Sequence, residues 1–330
     1  MTQIAYVFPG QGSQAVGMGR ALAATSAAAS AVFEQADAAL GEPITRHAWE
    51  GPEDELNRTE NAQPALLAAS IAYLEAVREQ WGKLEIDAPA PRFAAGHSMG
   101  QYSALVAAGA LDLADAVRLV RTRGQLMKAS GAGREGRMAA IIGLDDAKLP
   151  ELVAQASAHG VFGVANRNSP GQVVVSGERP AVEAALGIAK SLGAKRAIEL
   201  PVSVAAHSPL MADAATGMRE HLAGITFRDP NPPLLANADA HVITTADACR
   251  AELVDHLTTG VDWVGAIEAM RAQGVTTFIE VGPGRVLTGL IKRIDTDAVT
   301  LALDDPAAAG RLAIPFSDTA EMEAATEPTV

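Results

Sequence analysis

The chain has 330 residues, of which 48% are hydrophobic and 20% charged, and its formal net charge at neutral pH is −13. That length and mixture fit a globular enzyme of one large or two unequal domains, while the acidic balance excludes a general nucleic-acid binder, which needs a basic face. The single Cys249 excludes an internal disulfide, no Cys/His cluster has metal-ligand spacing, and no apolar run approaches the roughly 20 residues of a membrane helix.

The first element is a strand, "IAYVFP" (4–9), with no leader segment before it, so a cytoplasmic location without membrane contact is expected. A loop with Gly10, Gly12, Gly17 and Gly19 follows. Gly10-x-Gly12-x-x-Ala15 fits a loose dinucleotide fingerprint, and acidic residues come about 20 positions later. A Walker loop fails because no Lys-Ser/Thr follows Gly17. Against the dinucleotide reading, Glu34 and Asp37 sit in an Ala-rich helical run and do not end a second strand.

Next come a long helix (60–82), a short strand "RFAAGHS" (92–98), and helices at 100–111 and 112–130. From Arg137 the order is strand (137–144), helix (145–160), strand (161–167), strand (171–178), helix (179–193) and strand (194–202). This βαββαβ series is the ferredoxin-like unit, entered through Gly131, Gly133 and Gly136. The chain then returns to strand-like "PPLLANA" (232–238) and "TTFIEVGPG" (276–284), the latter running into a helix (285–294). Alternation of strands and helices predicts a parallel sheet covered by helices. The expected organisation is a large α/β domain from 1–129 and 205–305, a small inserted domain at 130–204, and a loose acidic tail at 306–330.

"AAGHSMGQYSAL" carries the strongest chemical signal. Gly96-x-Ser98-x-Gly100 lies between a strand and a helix, as a nucleophile elbow requires, and the amide of Met99 points where an oxyanion forms. A serine nucleophile needs a base. His97 is expected to point away from so tight a turn. His47, His159, His221, His241 and His256 lie in polar or helical surroundings, where solvation is the simpler expectation. His207 follows a strand-like stretch where the inserted unit rejoins the large one; it either overhangs the cleft or is an ordinary loop histidine. Arg123 shares a helix face with Ala116, Leu119 and Met127. A buried arginine needs a partner, either a protein carboxylate or a substrate carboxylate held by its donor fork.

Together these residues resemble the malonyl-CoA:acyl-carrier-protein transacylase family. "FPGQGSQ", "QPALL", "GHSMGQYSAL", "RTRGQLM", "NRNSPGQVVVSG", "LPVSVAAHS" and "EVGPGRVLTGL" occur in the family's order, and the similarity extends to about Asp305. The resemblance implies an α/β-hydrolase-like large domain with an inserted ferredoxin-like small domain. It implies Ser98 as nucleophile, His207 as general base, and Arg123 as the grip on malonate's free carboxylate. It gives the oxyanion hole to the backbone amides of Gln11 and Met99. The implied partners are malonyl-CoA and a phosphopantetheinylated acyl carrier protein, for fatty-acid or polyketide synthesis, with no cofactor and a monomeric enzyme. Docking of an acidic carrier protein would use a local basic surface, Lys195 with Arg196, or Arg285 with Lys292 and Arg293.

Three stretches depart from the family's pattern. Met99 and Gln101 replace leucine and glutamate, and "VAAH" precedes the base. Asp262 stands where we expect the family's glutamine or arginine, whose backbone carbonyl orients the histidine. Asp262 is thus expected either to supply that carbonyl or to turn its side chain toward His207 as a triad acid. The competing reading is an acyl hydrolase or esterase of the same fold acting on carrier-bound chains.

Overall fold

All five residues of strand β1, Ile4–Phe8, are buried, which is why the run is apolar throughout. Ile4, Tyr6 and Phe8 join one core cluster, while Ala5 and Val7 face another on the opposite side. The computed structural model describes residues 3–85, 89–131, 135–202 and 204–303. The expected tail at 306–330 and part of the expected entry at 131–136 lie outside these residues.

The remaining strands are β2 (Phe93–Gly96), β3 (Gly136–Ile142), β4 (Phe162–Ser169), β5 (Gln172–Glu178), β6 (Arg196–Glu199), β7 (Leu234–Leu235), β8 (Val242–Ile243), β9 (Val261–Asp262), β10 (Thr277–Val281) and β11 (Val299–Leu303). One sheet has the order β11-β10-β1-β2-β7-β8, and its first five strands run parallel. The other has the order β6-β3-β5-β4-β9, with its first four strands antiparallel. Helices Leu149–Ala156 and Arg179–Ser191 cover one face of this second sheet through a core of Ile141, Leu152, Val175 and Val182.

Among the described residues the chain forms five helices between β1 and β2, ending in Thr59–Lys83. Glu34 and Asp37 lie on helix Ala27–Leu40. The dinucleotide reading therefore lacks its second strand. The expected strand at 232–238 shrinks to Leu234–Leu235, because Pro232 and Pro233 have no N–H to donate; Pro233 still offers its carbonyl to Ala94 N (3.0 Å). The helix expected at 100–111 stops at Ala107, before Gly109 with its φ of 69°. β9 pairs with β4, Asn166 beside Val261 and Arg167 beside Asp262. A segment assigned from sequence to the larger unit is thus stitched into the second sheet.

Candidate active site

The parallel strands β1 and β2 end side by side, and the chain turns sharply from Gly96 into helix Gly100–Ala107. A Cβ on Gly96 would lie 2.0 Å from the carbonyl carbon of Gly100, and one on Gly100 would lie 2.2 Å from Phe8 O. Only glycine permits that packing. Ser98, at the tip, has φ 53°, a left-handed conformation that costs a non-glycine residue on the order of 1 kcal/mol or more. Neighbouring groups hold it there. Ser98 N donates to Asn237 Oδ1 (2.8 Å), and Asn237 N donates to buried Glu252 Oε1 (2.6 Å). Gln101 braces the turn from within, accepting from Gly96 N (3.0 Å) and donating to Leu235 O (2.9 Å).

His207, also left-handed at φ 57°, lies 109 residues away in sequence, yet its Nε2 sits 2.8 Å from Ser98 Oγ. Its Nδ1 faces the carbonyl oxygen of His256 at 2.7 Å. A carbonyl only accepts, so the proton sits on Nδ1 and Nε2 presents a lone pair to the serine. Burial, then the charge of Arg123, push the imidazole down to about 3, so it is neutral at physiological pH.

Arg123 is 2% exposed. Its Nη1 donates to Gln63 Oε1 (2.7 Å), and its Nη2 donates to Ser98 Oγ (3.2 Å) and faces His256 Nε2 (3.3 Å). Nε has no partner among the described residues. Every one of these contacts is neutral. Burial lowers the guanidinium from its ordinary value, but an arginine keeps its charge at neutral pH. An uncompensated cation therefore stands beside the Ser–His pair.

A cavity of about 570 Å³ opens onto these groups. Gln11, Met99 and Met127 line it from the parallel-sheet side, and Met138, Asn168 and Val174 from the second sheet. The backbone amides of Gln11 and Met99 engage no acceptor among the described residues. The Gln11 side chain is held by Thr59 Oγ1 (3.0 Å). His97 does turn from the serine, pairing with Asn168 Oδ1 (2.9 Å) and packing on Trp263, yet it lines the same cavity. Lys195 and Arg196 are exposed at the edge strand β6, and Arg285, Lys292 and Arg293 are exposed at helix Val286–Ile294.

Asp262 is a correction. The carbonyl that orients His207 belongs to His256, six positions earlier, and the Asp262 side chain is engaged elsewhere. It caps helix Trp263–Ala272 through Gly265 N (3.1 Å) and pairs with Arg167 Nη1 (3.3 Å). Asp262 is thus neither the orienting carbonyl nor a triad acid. His256 is the second correction, since it is fully buried and not solvated. Its spacing offered a signal: on helix Ala246–Thr259, Cys249, Glu252, Leu253, His256 and Leu257 recur at intervals of three and four and share one buried face. Asn237 carried a signal as well: it closely follows β7 of the parallel sheet, where such folds place ligand contacts.

A family model described as "Acyl transferase domain" matches residues 5–304. The malonyl CoA-acyl carrier protein transacylase of Escherichia coli strain K12 is 48% identical over 308 residues, covering 93% of this chain and 98% of that protein. The crystal structure of an acyl carrier protein S-malonyltransferase from Vibrio cholerae superposes with a TM-score of 0.88 at 43% identity, covering 94% and 100% of the two chains. A malonyl-transacylase solved in complex with a type II PKS acyl-carrier protein gives 0.88 at 41% identity, covering 94% and 99%. Among the described residues no helix is long and apolar enough to cross a membrane. With its elbow, its neutral imidazole and its buried arginine on a chain matched almost end to end, the protein belongs to the malonyl-CoA:acyl-carrier-protein transacylases of the acyl transferase domain family.

Proposed function

We propose that the protein transfers a malonyl group from malonyl-CoA to the phosphopantetheine thiol of an acyl carrier protein through a malonyl-Ser98 intermediate, serving fatty-acid or polyketide synthesis. Ser98 Oγ attacks the thioester carbonyl while His207 Nε2 takes its proton. Collapse of the tetrahedral intermediate breaks the C–S bond, and the departing coenzyme A sulfur receives that proton. The carrier thiol then gives its proton to His207 and attacks the acyl-serine carbonyl; collapse returns the proton to Ser98 Oγ. The amides of Gln11 and Met99 act as oxyanion donors, each contributing about 3 kcal/mol in comparable serine enzymes.

Arg123 takes the malonyl carboxylate. A neutral acyl chain leaves its buried charge unpaired, so selection for a dicarboxylic acyl group follows from the cost of that vacancy. The same pairing acts on the base. Arg123 is one of the influences holding His207 down. Cancelling its charge with a carboxylate strengthens the base when the cognate group is bound.

The strand order β6-β3-β5-β4 supports reading 130–204 as a ferredoxin-like unit, and the parallel sheet ending in a nucleophile elbow supports an α/β-hydrolase-like body from 1–129 and 205–305. The observation that carries the function is the 2.8 Å Ser98–His207 contact with the Arg123 guanidinium 3.2 Å from the same hydroxyl. Incubation with malonyl-CoA and a phosphopantetheinylated carrier protein is expected to yield malonyl-carrier, and Ser98→Ala to abolish it. Free malonate without malonyl-carrier would favour the hydrolase reading instead.

A further inference from the structure

His256 serves the site twice, once through its main chain and once through its ring. Its carbonyl accepts from His207 Nδ1, a bond that any side chain at this position leaves available. The ring has separate business. Nδ1 lies 2.8 Å from the carbonyl oxygen of Glu252, which can only accept, so the ring proton sits on Nδ1. Nε2 then carries a lone pair and points at Arg123 Nη2, 3.3 Å away. Burial together with the charge of Arg123 keeps the ring unprotonated, so the lone pair persists. Gln63 anchors the other terminal nitrogen, and its own orientation is fixed because its Nε2 donates to Thr59 Oγ1 (2.8 Å).

These two acceptors share a property that matters more than their identity. Both are neutral, so they fix the direction of the guanidinium without cancelling its charge. An acidic residue in either place would hold Arg123 as well, but would compete with an incoming carboxylate. We propose that the imidazole of His256 is a positioning residue that holds the Arg123 fork toward the acyl carboxylate, and thereby sets the preference for dicarboxylic over monocarboxylic acyl groups. The proposal rests on the malonyl-transfer reading above.

The test compares kcat and KM for malonyl-CoA and acetyl-CoA in the unmodified protein, His256→Phe, His256→Asn and His256→Gln. Phenylalanine keeps the ring volume without an acceptor. Asparagine keeps the bond to the Glu252 carbonyl but is too short to reach Arg123. Glutamine places an amide oxygen near the original Nε2. Because a hydrogen bond to a charged group contributes 1.5–3 kcal/mol, the Phe and Asn variants are expected to lose malonyl preference by about tenfold or more, mainly through a higher KM for malonyl-CoA. The Gln variant should retain most of it. Asparagine serves as the reporter if the Phe variant does not fold. Unchanged preference in the acceptor-free variants, or equal damage in all three, overturns the proposal. An unmodified protein that does not favour malonyl-CoA instead sinks the underlying reading, and the first measurement shows which has failed.

Discussion

The two sheets are built to different tolerances. In the parallel sheet, β1 is buried on both faces, and the turn leaving β2 packs backbone on backbone so closely that a single methyl group has no room. The second sheet packs its helices on one face, while the other face turns Met138 and Val174 toward the large core and the cavity. β6 is largely exposed, and Met138, Asn166, Asn168 and Val174 from its other strands line the cavity. The first sheet fixes where Ser98 stands, and the second helps to shape the cavity in front of it, which in the proposed reaction receives the acyl group. Reaction geometry tolerates little displacement, whereas a binding wall can be re-papered at modest cost.

Breaking the rigid side should hurt most. Gly96→Ala forces the elbow apart, and is expected to lower the rate of acyl transfer by roughly a hundredfold or more, together with a lower thermal midpoint. Next comes the cation. Arg123→Ala removes the proposed partner of the malonyl carboxylate and should cost malonyl-CoA turnover about 2–5 kcal/mol, or some thirtyfold to several-thousandfold in kcat/KM, with little loss for acetyl-CoA.

Behind the elbow, Glu252 tests the platform through pH. Burial pushes its carboxyl up to about 7, against an ordinary value of 4.5. The folded protein thus holds a proton that the unfolded chain releases between these values, so this group lowers stability as pH rises from 4.5 to 7. The full penalty above pH 7 is roughly 3 kcal/mol. Glu252→Gln should therefore melt progressively above the unmodified protein as pH rises across that window, and parallel melting curves would count against the assignment.

Smaller effects belong to the second sheet and its margin. Asp262→Asn keeps the helix cap and loses only a half-exposed ion pair with Arg167, worth up to about 1 kcal/mol. Turnover and its pH profile should not move; a shifted profile would restore the triad acid. Smallest of all, Gly163→Ala on β4 meets no atom within 4 Å, and its midpoint and kinetics are expected to match the unmodified protein.

What could be read from the sequence followed the same division. The elbow was legible because its glycines are required by close packing within five consecutive residues. The β-α-β-β-α-β series was legible because each element carries its own periodicity. Arg123 announced itself by its apolar helix face, although only the fold places Gln63 and His256 around it. His256 was harder. Its imidazole lies on a helix that also carries exposed residues, and its carbonyl function leaves no trace in the side chain. Asp262 stood out because the resemblance sets it where the family's glutamine or arginine is expected, but the register of β9 against β4 engages it with Arg167, and the orienting carbonyl comes from His256. The short strands β7, β8 and β9 have two residues each, too few for any period to show.

The central claim is that a neutral imidazole and an uncompensated guanidinium share one serine hydroxyl. Rapid mixing with malonyl-CoA or acetyl-CoA, read by intact mass and peptide mapping, tests it directly. Malonyl should appear on Ser98 far faster than acetyl, and Arg123→Ala should erase that difference. An adduct at another residue, or equal rates for the two acyl groups in the unmodified protein, would contradict the claim.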